Sequence, residues 1–435
     1  MLKSHRYLLG LFWMLAIFIF PLPLIQALAN GLTGPAISNL GIQLGTIAYA
    51  WMLLIIFIST KPKWLDRIIG LPSMYFLHGG LAIIMIVFAY VHKLMTSSNG
   101  LIKLTGDIGL WILIGTAVYS IFFLSGWLTD RIHWLKIWIR FFEKHIFKHE
   151  VSVWLHRLNI LATLFVFIHV LLIDYIMQIK GFAILFYAYS LIVFALYAYF
   201  LISKTWRFNR AKVIDIRPLS ANMTQVTLRF SHTRAEKLKK YQAGDYLFID
   251  FPNIEGMKEM HPFSFVDFDY EKRQVVLAIR ADGDFSHKIA KITIGESARI
   301  DGPFGTLNNQ ILNQDDKQQA LILLAGGTGV VPLISLALAY ASKREIYFIW
   351  TVSSEADLVY RKLLLQLADQ WPNFYYFESI HRLNLEKISA ILPETIIDQA
   401  YFLMSGSNKM MIGYRSLLAK FGVKAKNIYY EKFSF

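Results

Sequence analysis

Residues 72–95 read PSMYFLHGGLAIIMIVFAYVHKLM, and the first charged side chain in this stretch is Lys93. As a helix it would be about 36 Å long, which is enough to cross the hydrocarbon core of a bilayer. It contains His78 and His92, fourteen residues apart, which an ideal helix places on nearly the same face about 20 Å from each other. Ionisable side chains are costly inside a membrane, so the two histidines predict a functional site.

Five further stretches are long and apolar enough to form membrane helices: approximately residues 7–29, 36–59, 107–128, 152–177 and 182–203. The stretch 152–177 repeats the pattern of two widely spaced histidines, His156 and His169. The third and fifth helices run in the same direction, because a single helix separates them in the sequence. We therefore expect His78 to face His156 at one level of the membrane and His92 to face His169 at the other.

Each expected pair presents two imidazoles to one another, which is the ligand set of a b-type haem with both axial positions filled. The thirteen-residue spacing rotates His169 by more than about 100° from His156, so we expect a bulge in the fifth helix or binding from a rotated face. Zinc is a weaker alternative, because ligands about 20 Å apart cannot share one ion. The chain has no cysteine, which excludes disulfides, cysteine-ligated zinc, iron–sulfur clusters and covalently attached haem.

The formal net charge of +14 indicates membrane orientation rather than nucleic-acid binding, because the basic residues alternate between the helix connections. One side of the membrane holds Lys93, Lys103 and Lys180. The other holds fourteen basic residues: Lys3, Arg6, Lys61, Lys63, Arg67, Arg131, Lys136, Arg140, Lys144, Lys148, Lys204, Arg207, Arg210 and Lys212. By the positive-inside rule, both termini and the second half of the chain are expected in the cytoplasm. A signal-peptidase site after Ala27-Leu28-Ala29 is an alternative for the first helix, although its apolar run is longer than usual.

After about residue 207 the chain changes to short alternating strands between turns, as in AKVIDIRPL (211–219), QVTLRF (225–230), DYLFIDF (245–251) and QVVLAIRA (274–281). This pattern predicts a small antiparallel barrel up to about residue 315. A polar linker, 308–319, then precedes the buried strand ALILLA (320–325) and the loop Gly326-Gly327-Thr328-Gly329. Glycines between a strand and a helix let bare backbone and a helix N-terminus bind pyrophosphate, so this loop predicts a nucleotide site.

Three motifs precede the nucleotide glycines: HPFSF at 261–265, RADGDFS at 280–286 and GPFG at 302–305. Together with the histidine spacings, these motifs resemble the ferric reductase and NADPH oxidase flavocytochrome b superfamily, in particular its bacterial NADPH oxidase-like members. The resemblance covers essentially the whole chain. It implies a six-helix transmembrane bundle, then a ferredoxin-reductase-like module of an antiparallel β-barrel FAD domain and an α/β Rossmann-like nucleotide domain. The expected domains are 1–205, 206–316 and 317–435.

The resemblance also implies which residues bind the flavin. They lie in the HPFSF strand and in the turn after the next strand: His261, Pro262, Phe263, Ser264 and Phe265, then Arg280, Gly283, Phe285 and Ser286. Within this set, a Ser264 hydroxyl can reach the flavin and the guanidinium fork of Arg280 fits its pyrophosphate.

Near the nicotinamide, the resemblance implies a terminal aromatic residue, Phe435, that stacks on the flavin where the nicotinamide must enter. We therefore expect Ser264, Phe435 and Ser405 to act in the catalytic step. This chain departs from the family pattern at Ser405-Gly406, where the family usually has Cys-Gly. It departs again at Thr96, where animal oxidases carry a further histidine, so an oxygen pocket of that kind is not expected.

The second strand of the nucleotide domain is followed by Ser353, Ser354 and Glu355, with Arg361 one to two helical turns further on. Serine hydroxyls and a guanidinium suit the 2′-phosphate of NADPH, whereas a carboxylate suits the 2′-hydroxyl of NADH. We therefore expect a preference for NADPH, with Glu355 leaving NADH possible. The alternative is that the serines cap the next helix and Arg361 is a solvated surface residue.

The expected function is that of an NAD(P)H oxidase that passes electrons from cytoplasmic NADPH through FAD and two b-type haems to O₂ outside, forming superoxide. A ferric-chelate reductase with the same electron path is the main alternative. The flavin and nucleotide motifs disfavour a haem subunit that serves a partner protein, and the four histidines disfavour a merely membrane-anchored flavin reductase. The expected partners are the lipid bilayer and O₂, without nucleic acid, an obligatory protein subunit or calcium regulation.

Overall fold

The structure, a computed structural model, describes residues 7–123, 154–203, 206, 208–231, 235–314, 319–397 and 399–432. Residues from the sequence analysis that lie outside these ranges are Lys3, Arg6, Arg131, Lys136, Arg140, Lys144, Lys148, Lys204, Arg207 and Phe435. The chain divides into two compact units. One contains Tyr7–Pro62 and Ser73–Ser203, and the other contains Lys63–Pro72 with the described residues after Ser203.

Six helices in the described residues are long and apolar enough to cross a membrane, which confirms the predicted number. We refer to them as spans 1 to 6: Leu8–Ala29, Ala36–Ser59, Leu71–Met95, Gly100–Phe123, Trp154–Leu171 and Lys180–Ile202. Span 4 begins at Gly100, seven residues before the predicted start. The charged residues Lys103 and Asp107 weaken its apolar signal, but Asp107 pairs with Lys93 of span 3 at 2.7 Å, which compensates both charges.

Span 5 is irregular near His156, as the thirteen-residue spacing predicts, but the helix tightens instead of bulging. The amide of Arg157 donates to the carbonyl of Trp154 at 3.0 Å, an i→i+3 bond typical of a 3₁₀ turn. The side-chain amide of Asn159 donates to the carbonyl of His156 at 2.8 Å. A 3₁₀ turn rotates the chain more per residue than an α-helix, so it brings His156 closer to the face that carries His169.

A short helix, α1 (Lys63–Ile69), lies between spans 2 and 3 in the sequence but belongs to the same unit as the barrel. Arg67 reaches Asp245 with both guanidinium ends, Nη1 to Oδ1 at 2.5 Å and Nη2 to Oδ2 at 2.7 Å. The carboxylate of Asp66 accepts hydrogen bonds from the backbone amides of Gly305, at 3.0 Å, and Leu71, at 2.8 Å. Burial raises the pKa of both carboxyls, to about 7 for Asp245, and Arg67 opposes the rise.

The first soluble domain is a closed antiparallel barrel with the strand order β1-β2-β5-β4-β3-β6. Its strands are β1 (Asn209–Ser220), β2 (Met223–Ser231), β3 (Tyr246–Asp250), β4 (His261–Asp269), β5 (Gln274–Arg280) and β6 (Ser297–Phe304), with short helices at Ala235–Leu238 and Asp284–Lys288. Alternate side chains fill the interior, among them Val226, Leu228, Leu247, Ile249, Val275 and Leu277. The four alternating segments quoted above all form strands of this barrel, as predicted.

The segment after the barrel differs from the predicted polar linker. Residues Leu307–Leu312 form a helix, and Leu307 and Ile311 bury their side chains in the core of the following α/β domain. These two residues are four apart and so lie on one helix face. A single apolar turn among polar residues is too short to show a periodic signal, which is why the sequence pattern did not predict it.

The second soluble domain is a five-stranded parallel sheet in the order β11-β10-β7-β8-β9. Its strands are β7 (Leu321–Gly326), β8 (Ile346–Val352), β9 (Phe374–Ile380), β10 (Tyr401–Gly406) and β11 (Ile428–Lys432). Its main helices are α2 (Val330–Tyr340), α3 (Arg361–Gln370) and α4 (Asn408–Lys420), with shorter ones at Leu385–Ile391 and Glu394–Ile397. The strand order reverses between β7 and β10, which makes their C-terminal ends the place where such sheets bind ligands. Spans, barrel and sheet confirm the predicted architecture.

Candidate functional site

The four membrane histidines form the two pairs that the sequence predicts. The ring centroids of His78 and His156 lie 5.9 Å apart, and those of His92 and His169 lie 6.2 Å apart. Two imidazoles that bind one metal ion from opposite sides, through bonds of about 2 Å, have centroids about 6 Å apart. Each pair therefore fits the axial ligation of one haem iron. No cluster of three or more metal-binding side chains occurs in the described residues.

Hydrogen bonds orient each imidazole for this role. The Nδ1 of His92 donates to the carbonyl of Gly41 at 2.8 Å, and that of His169 donates to the carbonyl of Ile102 at 2.7 Å. A carbonyl partner requires the proton on Nδ1, which leaves the lone pair of Nε2 available to a metal. In the other pair, Nδ1 of His78 lies 3.3 Å from the carbonyl oxygen of Ile55. Nδ1 of His156 lies 2.9 Å from the hydroxyl of Ser120.

A cavity of about 520 Å³ adjoins His92 and His169. Its volume falls within the range of about 300–1,000 Å³ that is usual for small-molecule and cofactor sites. Lys93, Asp107 and Thr96 also line it. The hydroxyl of Thr96 donates to the carbonyl of His92 at 2.8 Å, so Thr96 supports the helix next to a candidate ligand.

Two glycines that the sequence analysis missed make room for these imidazoles. A Cβ at Gly45 would lie 2.7 Å from Nδ1 of His92, and a Cβ at Gly106 would lie 3.0 Å from Nδ1 of His169. Both distances are shorter than ordinary van der Waals contacts, so a larger residue would push the ring away. Glycines in apolar helices are common, and only the pairing of spans distinguishes these two.

The residues that resemble a flavin-binding motif share one end of the barrel, because β4 begins at His261 and its antiparallel neighbour β5 ends at Arg280. The ring of His261 lies against that of Phe285, with centroids 4.3 Å apart, and Phe263 lies 5.9 Å from the same ring. His261, Phe263 and Ser264 are half-buried, as expected of residues at the edge of an open site.

Phe265 behaves differently from the rest of the motif. Its side chain is 1% exposed and packs in the barrel core. Side chains alternate along a strand, so His261, Phe263 and Phe265 share the interior side, while Pro262 and Ser264 point the other way. The geometry therefore gives Phe265 a supporting position inside the barrel and leaves Pro262 and Ser264 on the outer face.

Arg280 lies beside the nucleotide loop. A Cβ on Gly327 would be 4.0 Å from Nη1 of Arg280. The Nε of Arg280 donates to the carboxylate of Asp282 at 2.8 Å, and the amides of Asp282 and Gly283 donate to the hydroxyl of Ser286 at 3.0 and 2.9 Å. The turn after β5 thus holds the guanidinium at the loop, so the two predicted pyrophosphate-binding elements converge.

The switch point between β7 and β10 brings together residues that are about 80 positions apart in the sequence. A Cβ on Gly329 would clash with the carbonyl oxygen of Ser405, and a Cβ on Gly326 or Gly406 would clash with the sulfur of Met410. Ser405 is fully buried, and its hydroxyl has no hydrogen-bond partner in the part of the chain that the structure describes. Ser405 therefore lies next to the glycine loop.

Two residues at the end of β8, which the sequence analysis missed, hold the glycine loop. The indole Nε1 of Trp350 donates to the carbonyl of Gly327 at 3.0 Å, and the hydroxyl of Thr351 donates to the carbonyl of Ala325 at 3.1 Å. Gly327 has φ of 52°, a left-handed conformation that glycine adopts without strain. Thr328, the remaining loop residue, is half-buried. Both anchoring residues look like ordinary strand residues in the sequence, so no motif indicates them.

The predicted nucleotide-specificity group lies at the C-terminal end of β8. Ser353 is exposed. The hydroxyl of Ser354 donates to the carboxylate of Asp357 at 3.1 Å and caps a short turn. This capping role is the alternative considered for the serines. Arg361 is not a free surface residue, because its guanidinium pairs with Glu355 at 3.1 Å and with Glu378 at 2.6 Å.

Comparison with protein families identifies both soluble domains. A profile described as an FAD-binding domain matches residues 208–328, and one described as an oxidoreductase NAD-binding domain matches residues 323–415. The two matches meet at the glycine loop and together cover the barrel and most of the parallel sheet. The second half of the chain is therefore an FAD- and NAD(P)H-binding oxidoreductase module.

Known proteins match parts of the chain. Phenol hydroxylase P5 protein of Acinetobacter pittii is 30% identical over 180 residues, which are 40% of this chain and 47% of that protein. NADH-cytochrome b5 reductase 1 of Dictyostelium discoideum is 28% identical, over 42% of this chain and 68% of its own. Ferric reduction oxidase 8 of Arabidopsis thaliana is 24% identical, over 35% of this chain and 21% of its own. The chain thus spans about half the length of the first of these relatives and less of the last.

The contact of Gly329 with β10 leads to a first prediction. We expect Gly329→Ala to weaken NAD(P)H binding roughly tenfold or more, because overpacking against fixed backbone costs about 1–3 kcal/mol. Gly413→Ala is the matched control. Gly413 lies in α4, and a Cβ added there would have no neighbouring atom within 4 Å. The measurement is the nucleotide concentration that half-saturates flavin reduction. Equal values for the two variants would show that the loop tolerates the added methyl group.

Proposed function

We propose that the chain is a transmembrane flavocytochrome that passes electrons from cytoplasmic NAD(P)H through FAD and two bis-histidine b-type haems to O₂ on the outer side, producing superoxide. This makes it an NADPH oxidase-like member of the ferric reductase superfamily. The observation that carries the proposal is the pair of facing histidines at two levels of the membrane unit, on a chain that also holds an FAD- and nucleotide-binding module.

FAD is the cofactor that this chemistry needs, because a nicotinamide gives up two electrons as a hydride and a haem accepts one electron at a time. The chain would supply the orientation. Trp350 and Gly329 shape the loop that receives the nucleotide pyrophosphate, and Arg280 stands beside it for the flavin pyrophosphate. In the membrane, the Nδ1 hydrogen bonds of His92 and His169 fix the rings so that Nε2 points away from the carbonyls.

The acceptor side follows from the charges that flank the spans. In the sequence, fourteen basic residues flank the spans in the connections that chain order assigns to the side of the flavin module, and three flank them in the others. This asymmetry supports a cytoplasmic module and an outer exit for electrons. His92 and His169 would hold the outer haem from its two sides. The haem would supply one-electron transfer to O₂, and the product of that transfer would be superoxide.

The test uses the full-length protein in sealed vesicles with the module inside. NAD(P)H is supplied only inside, and cytochrome c, which cannot cross the membrane, is supplied only outside. We expect reduction of the outer cytochrome c, and we expect superoxide dismutase in the outer solution to abolish it. Reduction confined to the NAD(P)H side would contradict the proposed topology.

The second candidate is a ferric-chelate reductase with the same electron path. The similarity to a ferric reduction oxidase favours it, and so does the polar rim of Lys93 and Asp107 on the cavity beside the outer pair. In the vesicle experiment, cytochrome c reduction that persists with dismutase would indicate direct transfer to the external oxidant. Faster reduction of an external ferric chelate than of O₂ would then assign this function.

A third class, a flavin reductase that is only anchored to the membrane, is distinguished by the absorption spectrum of the purified protein. We expect the bands of low-spin b-type haem. Their absence after expression with haem supplied would reject both electron-transfer proposals.

A further inference from the structure

A chain of charged contacts lies at the C-terminal ends of β8 and β9. Arg361, the first residue of α3, lies between Glu355, in the short turn after β8, and Glu378, on β9. The closer contact is from Nη2 of Arg361 to Oε1 of Glu378, at 2.6 Å. In the sheet, Glu378 is the register partner of Trp350, whose indole holds the nucleotide loop at Gly327. The ion pairs are therefore one strand away from the loop that receives the pyrophosphate.

Glu378 is held on both of its oxygens. Oε1 accepts from Arg361, and Oε2 accepts from the hydroxyl of Tyr376 at 2.8 Å. Its side chain is 25% exposed, whereas that of Glu355 is 72% exposed. Burial, and then the hydrogen bond to Glu378, raises the pKa of Tyr376, so the tyrosine keeps its proton and remains the donor in this hydrogen bond. Of the two carboxylates, that of Glu378 is closer to the guanidinium of Arg361 and less exposed to solvent.

This arrangement affects the two nucleotides differently. A phosphate monoester carries about −1.5 to −2 charges at neutral pH. The 2′-phosphate of NADPH would therefore meet a guanidinium whose Nη1 and Nη2 are already paired with two carboxylates. It also has to approach Glu355 and Glu378, which repel it. The 2′-hydroxyl of NADH can donate a hydrogen bond to the carboxylate of Glu355, just after β8, without any change in the ion pairs of Arg361. The contacts therefore oppose the NADPH preference that the serines and Arg361 suggest in the sequence.

We propose that Glu378 sets the nucleotide preference by holding Arg361 in an ion pair, so that this chain uses NADH at least as efficiently as NADPH. The inference rests on the proposed function only in assuming that the module oxidises NAD(P)H. Glu378 is a specificity-determining residue that acts through Arg361, and it does not itself need to touch the nucleotide.

The experiment measures kcat/KM for flavin reduction by NADH and by NADPH in the full-length, FAD-loaded protein, under anaerobic conditions. Glu378→Gln keeps the shape of the side chain and an acceptor for Tyr376 but removes the charge. We expect it to raise the ratio of the NADPH value to the NADH value roughly tenfold or more, because a freed guanidinium gains charge-assisted hydrogen bonds to phosphate. Adding Arg361→Ala should cancel this rise.

Glu345→Gln is the matched control. Glu345 also accepts from a tyrosine of the sheet, Tyr347, at 3.0 Å, but it lies at the N-terminal end of β8, away from the site. The Glu345→Gln variant should have the same ratio of kcat/KM for NADPH to kcat/KM for NADH as the wild type. Glu355→Gln is a second test variant should Glu378→Gln fail to retain FAD, and it should raise the ratio in the same direction.

Three results would overturn the inference. The first is a wild type that prefers NADPH by more than about tenfold, which corresponds to about 1.4 kcal/mol. The others are an NADPH-to-NADH ratio of kcat/KM that is unchanged in both Glu378→Gln and Glu355→Gln, or a ratio that Glu378→Gln raises equally in the Arg361→Ala background. A wild type whose flavin neither nucleotide reduces would instead reject the proposed function itself. The two failures are thus distinguishable.

Discussion

Replacing His92 or His169 with alanine is expected to lower the haem content of the purified protein from the proposed two to about one per chain, since each proposed bis-histidine site would need both of its ligands. The facing rings, 6.2 Å apart, are the reason to expect a single shared haem at this level. Reduction of FAD by NAD(P)H should persist, because the flavin module does not depend on these residues. Haem content and flavin reduction rate are the two measurements.

Thr96→Ala is the control for the histidine variants. Thr96 lies one turn after His92 and lines the same cavity, but it has no ring nitrogen. Its haem content should match that of the wild type. If both histidine variants also kept about two haems per chain, the pairing of His92 with His169 would be wrong as an account of haem binding.

The second large effect is expected at α1. Arg67→Ala should destabilise the flavin module by about 3–5 kcal/mol, because it leaves Asp245, which is 1% exposed, as a buried charge without its bidentate partner. Arg67 also donates to the backbone carbonyls of Lys240 and Gly305, so the variant leaves these two acceptors without this donor as well. Thermal release of FAD from the full-length protein should occur about 6 °C lower or more.

Two further variants separate this effect from a general loss of charge. Arg217→Ala breaks an exposed pair with Asp215 on β1, where the side chains are 69% and 31% exposed, and should cost no more than about 1 kcal/mol. The double variant Arg67→Met with Asp245→Leu removes both buried charges and should recover most of the stability. A release temperature for Arg67→Ala equal to that of Arg217→Ala would contradict a structural role for the buried pair.

Much of the architecture follows from local sequence patterns. Six apolar runs predict six spans, because the length of a helix needed to cross a bilayer is nearly constant. Alternation in segments such as QVTLRF predicts the barrel strands, and a strand that runs into glycines predicts the nucleotide loop at Gly326–Gly329. The histidine pairing also follows from the sequence, because matching spacings on two parallel helices leave only one arrangement with level partners.

Other features depend on contacts between residues far apart in the chain, and these could not be predicted. The eleven-residue connection that contains α1, residues 60–70, shows no periodic pattern. The contact of Arg67 with Asp245 joins residues 178 positions apart. Gly45 and Gly106 are recognisable only once spans 2 and 4 lie against the histidine rings. Local sequence determines which elements form, but it does not determine which surfaces meet.

The nucleotide-specificity site shows the same division most clearly. The sequence by itself determined that Ser353, Ser354 and Arg361 follow β8, and this pattern favours NADPH. Only the tertiary structure placed Glu378 of the neighbouring strand 2.6 Å from Arg361, through the parallel register of β8 and β9. The physical reason is that a guanidinium binds whichever anion is nearest, and the nearest anion is set by the pairing of strands rather than by the order of residues.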